Sequence, residues 1–477
     1  MCSFRRSPRP RSALCWARMA RRALRTSIVF AGAAGLVGFF APAACSTKGP
    51  DPTPPPTLLT KEQLMDPSQC GSCHLDHYKQ WVGSMHAYAA DDPLFLAMNA
   101  RGQRETGGKL GTFCVQCHAP LAVRAGLTDG KSPEKLPAAY KGVTCFFCHS
   151  IASVEGAHND PLKLGDDGVM RAGISDPKVE LAPHKAAYSK LHDHDQLDSA
   201  SACGSCHDIE NANGVALGRT YAEWKGSLFA HDVTGVRLTC AGCHMTGKDG
   251  FAASVAGAPP RRVHDHTMAA VDVALTDFPQ KAAQLAEVQK NLDPSLVTRL
   301  CVTGSRIEVW LDDAFAGHDF PSGASYHRRA WVEMTASKSG AVVWTLGKVP
   351  DDKAVATVTD PDFWRLGDQM LDAAGKPTEM LWTTASEKLA QLPPAVTNVK
   401  SDPAFYHAVI KDFRIPVDFD ALTLQVHIRP VDFDFVDDLI ATSDLDPSFR
   451  GKLATFTLAG ATKTWTSDMG STCIPAL

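Results

Sequence analysis

Hydrophobic and polar positions change texture three times along the chain. Residues 27–40 form one apolar run. Residues 60–290 show only short helical pieces rich in Gly and Ala, with no long apolar stripe at a period near 3.6. From about Leu296 onward, apolar and polar residues alternate over short runs: 306–311, 330–336, 341–346, 422–428 and 453–458. That period of two predicts strands with one buried face, and Pro and Gly punctuate them as turns do. The fold class expected is mixed. An α and loop region with little regular structure spans 61–290, and an all-β sandwich of the immunoglobulin kind spans 291–477.

Composition bounds the rest. With 477 residues, 44% hydrophobic and 21% charged, the chain can bury more than one core. No apolar run of membrane length follows the N-terminal segment, which excludes a polytopic membrane protein. The net charge of −4 hides a split. Residues 1–44 carry eight Arg and no acid, leaving 40 bases against 52 acids beyond them. So acidic a body argues against nucleic acid as a partner, because phosphate binding calls for a basic surface. The basic stretch 5–25, the apolar run and the small residues Ala41-Pro42-Ala43-Ala44-Cys45 read as an export signal covering 1–44. Cleavage before Cys45 would expose a cysteine for lipid attachment; cleavage at the A-x-A-like Ala41-Pro42-Ala43 is the alternative. Residues 45–60 contain five closely spaced prolines and read as a semi-rigid spacer. The location expected is the periplasm or the outer membrane, with a lipid anchor at Cys45.

The chemistry lies in the cysteines. Ten of the fifteen fall into five copies of one pattern: Cys70-Gly-Ser-Cys73-His74, Cys114-Val-Gln-Cys117-His118, Cys145-Phe-Phe-Cys148-His149, Cys203-Gly-Ser-Cys206-His207 and Cys240-Ala-Gly-Cys243-His244. C-x-x-C-H is the attachment motif of c-type haem. Two thiols three positions apart reach the two vinyl groups on one haem edge, and the next His binds the iron axially. Zinc ribbons use paired C-x-x-C units without a constant following His, and a thioredoxin-like motif occurs once. Five covalent haems, about 35 residues apart, would replace the missing apolar stripes as core.

Thirteen further histidines can supply second axial ligands. His86 ends the motif Tyr78-x-x-Trp81-x-x-Ser84-Met85-His86. A degenerate copy, Tyr221-x-x-Trp224-x-x-Ser227, has His231 displaced. His266 is chosen from His264-Asp265-His266, ahead of a strand-like run at 268–275. His184 is chosen over His192 and His194 near the fourth motif, and His158 is a looser candidate in a Gly/Asn loop. His77 reads as a solvated helix position. In the β region, Cys301 and Cys473 are suited to a disulfide in an oxidising compartment, with two buried thiols as the alternative. Gly317-His318-Asp319-Phe320-Pro321-Ser322-Gly323 reads either as a turn fixed by Pro and Gly or as a stiff mount presenting His318 to a haem.

These residues resemble a known family. Trp81-x-x-Ser84-x-His86, Phe113-Cys-x-x-Cys-His118-Ala-Pro120, Gly142-Val-Thr-Cys-x-x-Cys-His149, Trp224-x-x-Ser227, Cys240-x-x-Cys-His244-Met245 and His266-x-Met268 resemble multihaem cytochromes of the cytochrome c-554 type. Gly317-His318-x-Phe-Pro321-x-Gly323 with Arg328-Arg329-x-Trp331 resembles a β-domain that accompanies many of them. The resemblance, over roughly 65–460, implies that His86, His266 and His318 are distal ligands. Relatives include both electron carriers and reductases of nitrogen or sulfur oxyanions, so resemblance leaves activity open. The leading expectation is an electron carrier served by redox proteins or quinol-linked donors. An enzyme with one open iron, and a filament subunit or docking module, are the alternatives. No C-x-x-C-Lys site occurs, which removes the marker of haem-based ammonia-forming nitrite reductases.

Overall fold

The structure is a computed structural model and describes residues 56–231 and 235–475. The export signal, Cys45 and most of the Pro-rich spacer lie outside the described residues. Among the described residues, no helix is long and apolar enough to cross a membrane.

The first half folds around its attachment motifs. Cys145–His149 and Cys240–His244 are helices of five residues each, and Ser199–His207 ends on its motif histidine. A single helical turn places positions i, i+3 and i+4 on one face, so both thiols and the imidazole point the same way. Local capping makes such short helices viable: Thr144 accepts from Phe147 N–H and Thr239 from Gly242 N–H. Each helix buries little. The apolar clusters here are small, one around Leu121, Phe146, Phe147 and Ile151, another around Phe95, Val115 and Ala119.

The second half holds two large antiparallel sheets and a two-stranded one, Gln369–Leu371 with Ser386–Lys388. One large sheet runs Val409–Arg414, Arg306–Asp312, Val297–Thr303 and Thr472–Ile474 in spatial order. The other runs Ala341–Leu346, Arg329–Lys338, Ala421–Arg429 and Phe456–Thr457, with Arg365–Leu366 and Lys463–Thr466 attached. The alternation seen in sequence sets their faces. Ile307, Val309 and Leu311 point inward to meet Val332, Met334, Leu424 and Val426 of the other sheet. Cys301 and Cys473 stand opposite each other on neighbouring strands and form a disulfide.

Two segments differ from the sequence expectation. Residues 268–275 join no ladder. Side chains take up backbone groups of this segment and of Thr276 beside it: Gln284 accepts from Ala274 N–H, Tyr88 from Thr276 N–H, and Ala269 C=O receives His244 and Asn291. Of the run 453–458, only Phe456–Thr457 is a strand. The β core also reaches backward, burying Val273, Val288 and Leu292.

The halves pack extensively. Helix Pro93–Glu105 meets helix Phe433–Ala441 through Leu94, Met98, Val436 and Leu439. Arg101 pairs with Asp438 at 2.6 Å, and Arg104 chelates Asp444. Arg328 of the β region pairs with Asp272.

Candidate functional site

Among the described residues, nine histidines share one hydrogen-bonding state: four motif histidines, three of the sequence candidates, and also His264 (on Met245 C=O, 2.9 Å) and His407 (on Phe405 C=O, 3.2 Å). Nδ1–H donates to a backbone carbonyl from His74 (Ala252, 2.6 Å), His118 (Ala89, 2.9 Å), His149 (Arg171, 2.6 Å) and His244 (Ala269, 2.9 Å). The same holds for His184 (Lys185, 3.0 Å), His266 (His264, 2.9 Å) and His318 (Asp319, 3.0 Å). A carbonyl can only accept, so Nδ1 carries the proton and Nε2 keeps its lone pair. That is how metal-binding imidazoles are oriented. Burial pushes His86, His149 and His318 down to about 4 and His266 to about 3, with neighbouring imidazoles adding to the effect. All four are therefore neutral near pH 7, as ligation requires.

The rings also pair. Two imidazoles sharing one metal through Nε2 have centroids roughly 6 Å apart, from two metal–nitrogen bonds of about 2 Å and two ring offsets of about 1 Å. His74 and His184 stand 6.2 Å apart, His86 and His207 6.2 Å, His149 and His266 6.4 Å. His207 keeps solvent-accessible surface although protein groups surround it, His244, His118 and Arg328 among them. The pairing crosses the sequence. His86, beside the first motif, faces the fourth motif's histidine, and His184, near the fourth, faces the first motif's.

The Trp-x-x-Ser motif explains how His86 is placed. Trp81 Nε1–H donates to Val143 C=O at 2.8 Å, and Val143 N–H returns a bond to His86 C=O at 2.9 Å. Gly142 lies in the left-handed region there, and a Cβ on it would sit 2.5 Å from His86 O. The first motif's helix is thereby tied to the approach to the third motif. The second copy repeats the construction: Trp224 Nε1–H donates to Leu238 C=O at 3.0 Å, two residues before Cys240. Tyr78 and Tyr221 cover Gly71 and Gly204 of the two Cys-Gly-Ser-Cys motifs so closely that a Cβ would come within 2.8 and 2.2 Å of the rings. In this copy the place of His86 is taken by Phe229, whose ring packs on Gly317. His231 is exposed. The neighbour of Gly317 is His318, which is enclosed with His244, Arg328 and His207 as its electrostatic neighbours. The turn thus delivers a histidine where the second copy lacks one.

The other sequence candidates have their Nε2 or their rings engaged differently. His158 is exposed and faces Glu210 at 3.6 Å, not a motif histidine, in a loop that Asn159 ties to the backbone of Glu210. His192 stacks on His149 at 5.7 Å but commits Nε2 to Cys148 C=O, and His194 lies tilted against His264 at 3.8 Å. His77 is half-buried, edge-on to His266 at 4.6 Å, and not a solvated position. Among the described residues, the ring in contact with His118 is Phe95, stacked at 4.1 Å; no imidazole is in ring contact with it. Phe95 was not legible as a site residue, since nothing local distinguishes it from core.

The ten motif thiols are all unbridged. Thiols of different motifs touch: Cys70 with Cys145, Cys203 with Cys240, Cys117 with Cys206. Burial pushes Cys114 and Cys148 up to about 12. Unbridged thiols beside proton-free imidazole nitrogens at metal-sharing distance are the donor set a covalent haem requires, and the residues present fit it.

Residues 69–150 match the family described as cytochrome c554 and c-prime. No curated protein matches the sequence. The fold is similar to the crystal structure of a penta-heme cytochrome c552 from Thermochromatium tepidum, with a TM-score of 0.58 and 21% identity, covering 85% of this chain and 99% of that one. The local family match and the shared fold support a multihaem c-type cytochrome.

Proposed function

We infer that the chain is an exported pentahaem c-type cytochrome that carries single electrons. The observation carrying this reading is the set of three imidazole pairs at 6.2, 6.2 and 6.4 Å, each built on a C-x-x-C-H motif. When bound, haem irons supply reversible one-electron chemistry. The chain's residues do the rest. The ten motif cysteines would tether the haems, and the five motif histidines with His184, His86, His266 and His318 would hold their irons. Two axial imidazoles leave no position for a substrate, so such sites conduct. The thiol contacts support an order in space unlike that in sequence: first beside third, and fourth beside both second and fifth. We read residues 291–477 as an immunoglobulin-type sandwich whose turn lends His318 across the seam. Intact protein should carry five haem masses after denaturation; four or fewer would overturn the count.

A second reading draws on one observation. His118 meets Phe95 where the others meet imidazoles, so a haem on Cys114 and Cys117 would keep one axial face for a small molecule such as a nitrogen or sulfur oxyanion.

Export with lipid attachment at Cys45 completes the proposal and suits redox-protein or quinol-linked donors at a membrane. Cys45→Ser should release the protein to the soluble fraction with its haems intact. A variant still sedimenting with membranes would contradict the anchor.

A further inference from the structure

A polar cluster that ligation does not use lies behind the His318 turn. Arg219 sits at its centre. It bonds Glu387 at 2.6 Å, Asp368 at 3.1 Å and Gln391 at 2.8 Å, and approaches Glu223 at 3.9 Å. The three carboxylate side chains are almost wholly buried, at 6%, 0% and 6% exposure for Glu387, Asp368 and Glu223. One guanidinium cannot balance three buried carboxylates, and burying a net negative charge is costly unless a proton is bound. Asp368 is the best satisfied, receiving Ser325 O–H and Ala390 N–H. Glu223 receives Ser322 O–H at 2.5 Å and a long bond from Gln391. Among the described residues, Glu387 Oε1 is buried and meets no donor. Burial accordingly holds Glu223 and Glu387 up at about 7.

We propose that Glu223 and Glu387, held by Arg219, form a proton-binding site coupled to reduction of the haem that Cys240, Cys243 and His244 would hold. This deepens, and rests on, the cytochrome reading. The coupling is carried by position. Glu223 stands on helix Thr220–Gly226, whose Trp224 anchors the chain just before Cys240. Through Ser322 it also bonds the turn that carries His318. Glu387 lies on the short strand Ser386–Lys388, with Ser386 and Lys388 exposed on either side, which gives protons a route from water. The other charged groups facing the site are Asp319 and Asp313 beside Glu223, Asp312 with its partner His407 behind Asp313, and the Tyr326 hydroxyl near Glu387. Glu223, Asp368 and Glu387 share the single guanidinium of Arg219, so the local field favours proton uptake when an electron arrives.

The step balances simply. A one-electron reductant gives the iron one electron, and water gives the carboxylate pair one proton, so the net charge of the region is unchanged. The sign follows: an ionised carboxylate disfavours the added electron, so the potential is lower at high pH. One pH unit is a tenfold change in proton concentration, at most about 59 mV for a one-electron couple.

The test is spectroelectrochemical titration of the holoprotein at about pH 6 and about pH 8, near the two glutamates' range. Wild type should show one haem whose midpoint potential falls over this interval. Glu223→Gln with Glu387→Gln should flatten it, while Glu223→Asp with Glu387→Asp should keep it. If the double Gln variant does not fold, each single Gln variant should halve the fall. A wild-type potential independent of pH, or a fall unchanged in the Gln variants, overturns the proposal. A protein without covalent haem would overturn the cytochrome reading instead, so the two failures are distinct.

Discussion

Replacing His86 with alanine is expected to convert one low-spin haem to a high-spin or water-bound one, adding one equivalent of high-spin signal. His86 stands 6.2 Å from His207, and its backbone is clamped by Val143 N–H. The nearest substitute is Met268, whose sulfur lies 3.0 Å from His86 Nδ1 and so flanks the ring, not the Nε2 end. His77→Ala is the control. It removes a ring packed edge-on against His266 but no ligand, because the carbonyl of His264 sets the His266 orientation. An unchanged spectrum in the His86 variant would remove His86 from the ligand set.

His318→Ala is expected to have an effect of the same size at a different haem, with one new site for carbon monoxide or cyanide. The reason lies in the two copies of the Trp-x-x-Ser motif. The first ends in His86. The second ends in Phe229, which packs on Gly317 and leaves the ligand position to the turn. Since the turn belongs to the β region, His318 would join the two halves through iron in addition to the Arg328–Asp272 pair. If every haem that is low-spin in wild type stays so in the variant, the turn is not a ligand donor.

What the sequence made legible was local. Covalent attachment needs three residues within five positions, so all five motifs could be read directly. Strand faces need only alternation, so 306–311 and 422–428 could be read from Ile307, Val309, Leu424 and Val426. What it hid was distance. His184 lies close in sequence to the fourth motif but faces His74, because the strand pair Val169–Ala172 and Lys185–Tyr188 carries it toward the third motif's helix, which packs with the first's. Residues 268–275 have the composition of a strand, yet the partners of their backbone and of Thr276 beside it are Gln284 and Tyr88, which no periodicity reveals. Helix Phe433–Ala441 is acidic on one side because Asp438 meets Arg101, more than three hundred residues earlier. The Phe95 stack on His118 belongs to the same class: an ordinary aromatic made significant only by the ring beside it.

The most direct measurement is electron paramagnetic resonance of the fully oxidised protein with spin quantitation. Three histidine-paired sites, a fourth that His318 would close and one facing Phe95 predict four low-spin irons and one high-spin iron. Five low-spin irons would show that His118 acquires a partner and that every haem only conducts. Two or more high-spin irons would contradict the pairing of His184, His86, His266 and His318 with the motif histidines.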